Sequence, residues 1–150
     1  MSCDDQFYGV GMVVDKARGL IICDRDTIPI SAGDILLTFA NSIIIPGKLM
    51  YLHPIYNCAI VSYDPNLLGE TSVSEIELID KELSQGDEIH LVGVGSDHGV
   101  VMKKTCVANV GNIGTRECSP PRWRAVNVEG IKIDDPVSCL GKHSPTGSVC

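Results

Sequence analysis

The sequence lacks any long hydrophobic run and has little positive charge. None of its apolar stretches approaches the ~20 residues that a membrane-spanning helix needs, so no membrane partner is expected. Lys and Arg number 12 against 19 Asp and Glu, which gives a formal net charge of −7. Proteins that bind nucleic acid usually present a basic patch or stripe. The only basic clusters here, Lys103–Lys104 and residues 120–124, are interpreted as solvated surface, so no nucleic-acid partner is expected.

The seven cysteines lack the spacing of a metal site or of a disulfide framework. No C-x-x-C pair occurs, and no histidine stands at the spacing of a zinc ligand. We therefore expect no metal site and no cofactor. Cys23, Cys58 and Cys106 stand among apolar neighbours and are predicted to be small core residues with free thiols.

The first residues, MSCDDQFY, carry no recognisable targeting signal. They lack the apolar core of a secretory signal and the Arg and Ser bias of a transit peptide. The compartment expected from this start is the cytoplasm or the nucleus. A chloroplast or a mitochondrion stays open if the N-terminus is incomplete.

Short strands separated by turn residues make up most of what the sequence does contain. The runs rich in β-branched and aromatic residues are bounded by Gly, Pro, Asn or Asp, and none keeps the apolar spacing of a helix. A polar stretch, residues 65–88, separates two series of such runs and could hold a short helix near 76–84. The chain is therefore predicted to be all-β in two halves, with strands at 7–15, 20–23, 34–40, 42–52 and 58–64 in the first half, and at 88–95, 99–111, 123–129 and 130–135 in the second.

Five segments, taken in order, resemble the trypsin-like domain of the Deg/HtrA (protease Do-like) serine proteases. They are YGVGMVVD, GLIICDRDTI, HPIYNCAIVSYD, GDEIHLVGVG and WRAVNVEGIKIDD. The resemblance is closest to the degenerate second protease domain of long eukaryotic members. It implies a trypsin-like double β-barrel with a cleft between the barrels: a first barrel over 1–70, an inter-barrel linker over 71–87, and a second barrel over 88–150. The family continues with further strands, so the second barrel is expected to be incomplete at the C-terminus.

The two triad positions that the resemblance assigns have lost their usual residues. Asp26 stands where the family has its catalytic histidine, and Asn57 stands where it has the triad aspartate. An ordinary aspartate, with a pKa of ~3.9, is a weaker base than a histidine with a pKa of ~6.5. An asparagine cannot supply the charge that stabilises an imidazolium, and in a chymotrypsin-type enzyme that change alone lowers kcat by about 10⁴. Both positions are predicted to be structural.

The nucleophile of the family is also missing in recognisable form. Ser138, Cys139 and Ser144 lie in the matching region, but none has glycines arranged to bring two N–H groups onto one oxyanion. All three stay open as the degenerate nucleophile position. A cysteine nucleophile at Cys139 with His143 as its base is disfavoured, because the fold draws its base from the other barrel. A relocated base is also disfavoured, and the histidines it would draw on are His53, His90, His98 and His143.

These observations favour a protease homologue without catalytic residues over an active enzyme. The expected function is a binding or structural module that holds peptide or protein segments, including other Deg/HtrA domains or subunits, with no PDZ segment in this sequence. Such a module would bind in the cleft or at a strand edge by β-augmentation. The alternative is a serine endopeptidase with residual or atypical activity, since fold alone does not determine function.

Overall fold

The computed structural model describes residues 8–28, 33–95, 99–114 and 127–134. Within these ranges it contains eight strands and one short 3-10 helix, and none of its helices is long and apolar enough to cross a membrane. The described residues fall into two compact units, the first ending at Leu78 and the second beginning at Ile79. The finer division into 1–70, 71–87 and 88–150 stays a prediction.

The first unit is built on a five-stranded antiparallel sheet. Its strand order is β1-β2-β5-β4-β3, so the first and third strands along the chain form its edges. The strands are β1 (Gly11–Asp15), β2 (Leu20–Cys23), β3 (Ile35–Phe39), β4 (Ile43–Leu52) and β5 (Ala59–Tyr63), followed by the 3-10 helix Pro65–Leu68.

The β1–β2 turn depends on a glycine with a positive φ. Gly19 has a φ of +65°, and its carbonyl accepts a hydrogen bond from the Tyr63 N–H at 2.8 Å. A Cβ at this position would overlap the carbonyl oxygen of Tyr63. Only glycine allows both the positive φ and the close approach of the Tyr63 carbonyl without strain. The β1–β2 turn and the β2–β5 pairing therefore depend on the same residue.

The core of the first unit lies on one face of the sheet. In β5 the residues Ala59, Val61 and Tyr63 are buried and alternate with half-buried neighbours, as expected for a strand with one face in the core. Two adjoining clusters of buried side chains result: Ile21, Ile45, Tyr63 and Leu68 in one, and Ile28, Ala59 and Val61 in the other.

The segment that follows the 3-10 helix lies against the first unit without forming a regular element. Val73 packs on the first buried cluster, and the Ile76 N–H donates to the Val13 carbonyl of β1 at 2.9 Å. The Glu75 carboxylate accepts from the Lys16 N–H at 2.9 Å. Residues 76–84, where the sequence allowed a short helix, contain none.

The second unit is built on a three-stranded antiparallel sheet in the order β6-β7-β8. Its strands are β6 (Glu88–Val94), β7 (Val100–Gly114) and β8 (Asn127–Ile133). Val107 of β7 is 1% exposed and is buried in this unit.

One strand assignment from the sequence was wrong. We expected separate strands at 123–129 and 130–135, divided at Gly130, but β8 runs unbroken through that glycine. A Cβ on Gly130 would meet the side chain of Ile113 on β7. The glycine therefore makes room for a cross-strand neighbour and does not end the strand.

Candidate functional site

The two triad positions lie on two loops of the first unit. The β2 loop, residues 24–28, follows β2 and carries Asp26. The β4–β5 loop, residues 53–58, joins β4 to β5 and carries Asn57. Because β2 and β5 are hydrogen-bonded neighbours that pair Cys23 with Ala59, the two loops emerge side by side at one end of the sheet.

Asp24 holds the β2 loop in a tight turn. One of its carboxylate oxygens accepts from the Thr27 N–H and the other from the Thr27 hydroxyl, both at 2.7 Å. The Ile28 N–H closes the turn on the Arg25 carbonyl at 3.1 Å, and the Ile28 side chain is buried in the core. Asp26 is half-buried within this turn. Asp24 is therefore a capping residue of the kind common in turns.

His53 stabilises the β4–β5 loop with its own ring. Its Nδ1 accepts hydrogen bonds from the N–H groups of Ile55 and Tyr56, at 3.1 and 2.9 Å. The loop is closed by the His53 N–H donating to the Cys58 carbonyl at 2.9 Å. The imidazole also contacts the rings of Tyr51 and Tyr56. His53 therefore has a structural role in this turn.

Arg25 and Asn57 connect the two loops. The Asn57 Oδ1 accepts from the Arg25 N–H at 3.1 Å, so the side chain at one triad position bonds the residue next to the other. The Arg25 guanidinium donates from Nη1 to the carbonyls of His53 at 2.9 Å and Pro54 at 3.3 Å. Sequence reasoning missed Arg25. Its only signal was a basic residue between two aspartates directly after a buried strand.

Cys23, at the end of β2, is a poor nucleophile. Burial, then the negative charge of Asp24, and then the neighbouring Cys58 raise the pKa of its thiol from 9.0 to about 11. Thiolate is the reactive form, so a raised pKa makes the sulfur inert near neutral pH. The predicted role of Cys23 as a small core residue agrees with this environment, and its thiol is free.

The remaining candidate residues lie either outside the described residues or in the second unit. Ser138, Cys139 and Ser144 lie outside the described residues, as do His98 and His143. His90 lies on β6 in the second unit. Within the ranges described, no three His, Cys, Asp or Glu side chains come close enough to hold a metal ion.

Comparison with known sequences identifies relatives among longer proteins. No protein-family profile matches the chain. It is 39% identical over 130 residues to the PDZ domain-containing protein C23G3.12c of Schizosaccharomyces pombe, covering 87% of this chain and 13% of that protein. It is 34% identical over 131 residues to the pro-apoptotic serine protease nma111 of Aspergillus fumigatus, with the same two coverages. The chain thus spans about 13% of the length of these relatives.

Solved structures resemble the chain in fold at low sequence identity. The Rv3671c protease in its inactive form superimposes with a TM-score of 0.67 at 8% identity, covering 95% of this chain and 65% of that one. The HtrA-type protease AlgW, solved with a decapeptide, gives 0.59 at 13% identity over 83% of this chain and 34% of that one. Deg5 gives 0.56 at 18% identity over 85% of this chain and 65% of that one.

The likeness to solved proteases confirms the predicted all-β, trypsin-like fold. Among the relatives in sequence nma111 is a serine protease, and the structural neighbours include the HtrA-type protease AlgW and Deg5. Together they identify this chain as a trypsin-like domain of the Deg/HtrA serine protease family.

Proposed function

We propose that this chain is a catalytically inactive Deg/HtrA-type domain that works by binding extended polypeptide segments. The observation that carries the proposal is the hydrogen bond from the Arg25 N–H to the Asn57 Oδ1. This bond joins the two triad-position loops through a neutral side-chain amide and a backbone N–H. Neither of the two bonded groups is an imidazole or a carboxylate. The two loops remain connected, whereas the histidine and the aspartate that would transfer a proton are replaced by Asp26 and Asn57.

Asp26 and Asn57 do not form a base and its orienting partner. In a Ser-His-Asp site the carboxylate accepts from the ring N–H of the histidine and stabilises the imidazolium. A carboxylate at the base position has no N–H to orient, and an amide at the partner position carries no charge. The geometry therefore supports loop cohesion better than proton transfer.

His53 is not a substitute base. Its Nδ1 accepts two backbone hydrogen bonds, so that nitrogen carries the lone pair of the neutral ring. The proton of a neutral imidazole is then on Nε2, which cannot accept a second one. The nitrogen able to accept a proton is already the acceptor of two N–H groups of the histidine's own loop.

Binding is the function that a retained fold without these groups can still perform. A sheet edge can hold an extended peptide by main-chain hydrogen bonds alone and needs no catalytic residue. The AlgW structure contains a decapeptide, which supports a peptide as the class of ligand for this fold. Neighbouring Deg/HtrA domains are partners of the same chemical class.

Labelling with a serine-directed fluorophosphonate tests the loss of catalysis. The 150-residue chain should remain unlabelled under conditions in which an active trypsin-like protease is labelled to completion. The variants Ser138→Ala and Ser144→Ala serve as matched controls. Stoichiometric labelling of the wild type that disappears in one of them would show a working nucleophile and overturn the proposal.

Retention on an immobilised unfolded polypeptide tests the binding role. Denatured, reduced casein coupled to a resin should hold the chain, and the same resin carrying a folded globular protein should not. Recovery of intact casein after prolonged contact is also expected. Equal retention on both resins would contradict binding to extended segments.

A further inference from the structure

Three serines in the described part of the chain have an acidic residue three positions later. They are Ser72 before Glu75, Ser74 before Glu77, and Ser84 before Asp87. Kinases distinguish their substrates partly by charge pattern, and a kinase with a basic site selects carboxylates near the serine. Sequence spacing does not separate the three serines, but their surroundings in the structure do.

Ser84 is held in a closed turn. Its N–H donates to the Asp87 carboxylate at 3.0 Å, and the Asp87 N–H donates to the Ser84 carbonyl at 3.1 Å. The Gly86 N–H ties this turn to β7 by donating to the Val107 carbonyl at 2.8 Å. The carboxylate that a kinase would bind is therefore already bonded, and the backbone around Ser84 is fixed in a turn.

Ser72 and Ser74 lie in the irregular segment that follows the 3-10 helix. Both serines are exposed, whereas Val73 between them packs on the first buried cluster. The segment has no helix or strand structure that would have to be broken before it could extend in a kinase site. Its two hydroxyl groups are therefore better placed for modification than that of Ser84.

The neighbouring carboxylates favour Ser74 over Ser72. The acid of Ser72 is Glu75, whose carboxylate accepts from the Lys16 N–H at 2.9 Å. The acid of Ser74 is Glu77, which is exposed, and Glu75 directly follows Ser74 as a second acid. Ser74 thus combines exposure, an irregular backbone and two acids at short spacing.

The charge that follows Ser74 matches a basic enzyme. Residues 75–82 carry four carboxylates and one lysine, and all five of these side chains are exposed. Complementary charge speeds the encounter of two proteins and sets their orientation. A kinase with a basic substrate site would therefore be drawn to this segment.

We propose that Ser74 is the phosphorylation site of an acid-directed serine kinase, and that the phosphate loosens residues 73–76 from the β1–β2 hairpin. The Ser74 Oγ attacks the γ-phosphorus of ATP and forms a new P–O bond. The bond from that phosphorus to the β,γ-bridging oxygen breaks, ADP leaves, and the hydroxyl proton passes to a base of the kinase. This modification goes beyond the proposed binding function and does not depend on it.

Two hydrogen bonds connect this segment to the hairpin. The Glu75 carboxylate accepts from the Lys16 N–H, and the Ile76 N–H donates to the Val13 carbonyl at 2.9 Å. A phosphoserine carries a charge of about −1.5 to −2 at pH 7 and disrupts structure beside an acidic residue by repulsion. Phosphate on Ser74 would stand directly next to Glu75, so both bonds should weaken.

Phosphorylation of the 150-residue chain by casein kinase 2 and ATP tests the site. Mass spectrometry at early time points should place one phosphate on Ser74, and Ser74→Ala should remove it. Glu77→Gln should slow the reaction by at least about tenfold, whereas the matched change Asp87→Asn should slow it by less than about twofold. Circular dichroism confirms that the variants keep the fold.

A synthetic peptide of residues 80–90 is the control for the role of the structure. Ser84 should be phosphorylated in this peptide, where no turn is fixed, and not in the folded chain. The cAMP-dependent protein kinase, which selects basic substrates, should leave Ser74 unmodified.

Hydrogen exchange at the Ile76 N–H measures the loosening. Exchange should be at least about twofold faster in the phosphorylated chain, as expected for repulsion between exposed charges. The difference should shrink in about 0.5 M salt, because salt screens such charges.

Several results would overturn the proposal. A first phosphate on Ser72 or Ser84, or none on the folded chain, would refute Ser74 as the site. Equal slowing by Glu77→Gln and Asp87→Asn would refute recognition of Glu77. Unchanged exchange at the Ile76 N–H would refute the loosening. The proposed binding function is tested separately, by casein retention and serine labelling.

Discussion

At the scale of single residues, polar side chains hold the two triad-position loops together. Asn57 and Arg25 make the contacts between the loops, and Asp24 and His53 close each loop on itself. Each bond involves a backbone N–H or C=O group that would otherwise need another partner. These four side chains therefore stabilise the two loops.

Replacing Asn57 tests this cohesion. Asn57→Ala removes the acceptor of the Arg25 N–H and leaves a half-buried donor unpaired, which should lower the free energy of unfolding by about 1–2 kcal/mol. Asn57→Asp keeps an oxygen in the same place and should stay near the wild type. Urea denaturation followed by fluorescence measures both. An alanine variant as stable as the aspartate variant would contradict the structural role of the amide.

Cys23 should react slowly with thiol reagents. With its pKa raised to about 11, only about one thiol in a thousand is ionised near pH 8, so alkylation should be about 100-fold slower than for a thiol of pKa 9.0. Mass spectrometry of iodoacetamide-treated protein gives the rate at Cys23, and the same residue in urea-unfolded protein is the control. Equal rates in the folded and unfolded chains would show that burial does not protect it.

The same raised pKa sets the direction of a pH effect on stability. The thiol of the unfolded chain loses its proton near pH 9, whereas in the folded chain it keeps it to about pH 11. The contribution of the Cys23 thiol to the stability of the folded state is therefore fully present below about pH 9. It is lost as the pH rises from about 9 to about 11. Cys23→Ser should lose less stability than the wild type between these two pH values.

At the scale of elements, the turns and strand pairings explain each other. The β1–β2 turn requires Gly19 both for its φ and for the close approach of β5. The 3-10 helix begins where Asp64 accepts from the Asn66 N–H and Pro65 occupies the first position. Those helix-start signals are present in the sequence, and a closer reading of Asp-Pro-Asn would have predicted the helix.

Gly19→Ala should be one of the costlier changes in the first unit. The added Cβ would overlap the Tyr63 carbonyl and disturb the β2–β5 pairing, in addition to the cost of a positive φ, for about 2–4 kcal/mol in total. Gly69 also has a positive φ, +59°, but a Cβ there would meet nothing within 4 Å, so Gly69→Ala isolates the backbone cost. Thermal unfolding compares the two. A smaller loss in Gly19→Ala than in Gly69→Ala would contradict the close approach.

The strands were predictable from sequence to different degrees. Runs such as residues 20–23 and 58–64 are short, β-branched and bounded by turn residues, so pattern and structure agree. β8 was divided wrongly because a glycine inside a strand looks the same in sequence whether it ends the strand or makes room for Ile113. The bond between Arg25 and the β4–β5 loop joins residues distant in sequence, and no local pattern encodes it.

At the scale of the whole molecule, the chain is two β units within a family of much longer proteins. The described residues up to Leu78 form one unit and those from Ile79 form the other. The all-β class was predicted from short β-branched and aromatic runs bounded by turn residues. The family was predicted from ordered motif fragments, since their order carries more information than any one of them. The incomplete second barrel, the compartment and the absence of nucleic-acid and membrane partners stay predictions.

The junction between the units should be the first place where a protease cuts. Residues 77–82 are exposed and have no regular structure, and Lys81 lies among them. Limited digestion with a lysine-specific protease should cleave after Lys81 before it cleaves after Lys48 in β4 or Lys132 in β8. Mass spectrometry of early time points identifies the order. A first cut within β4 would contradict the division into units at this point.

Turnover of an unfolded polypeptide tests the central claim most directly. Fluorescein-labelled casein should be bound by the 150-residue chain and released intact across neutral and mildly alkaline pH, with no more hydrolysis than in a blank, while an active Deg/HtrA protease degrades it. Hydrolysis by the purified chain that Ser138→Ala or Ser144→Ala abolishes would contradict the account.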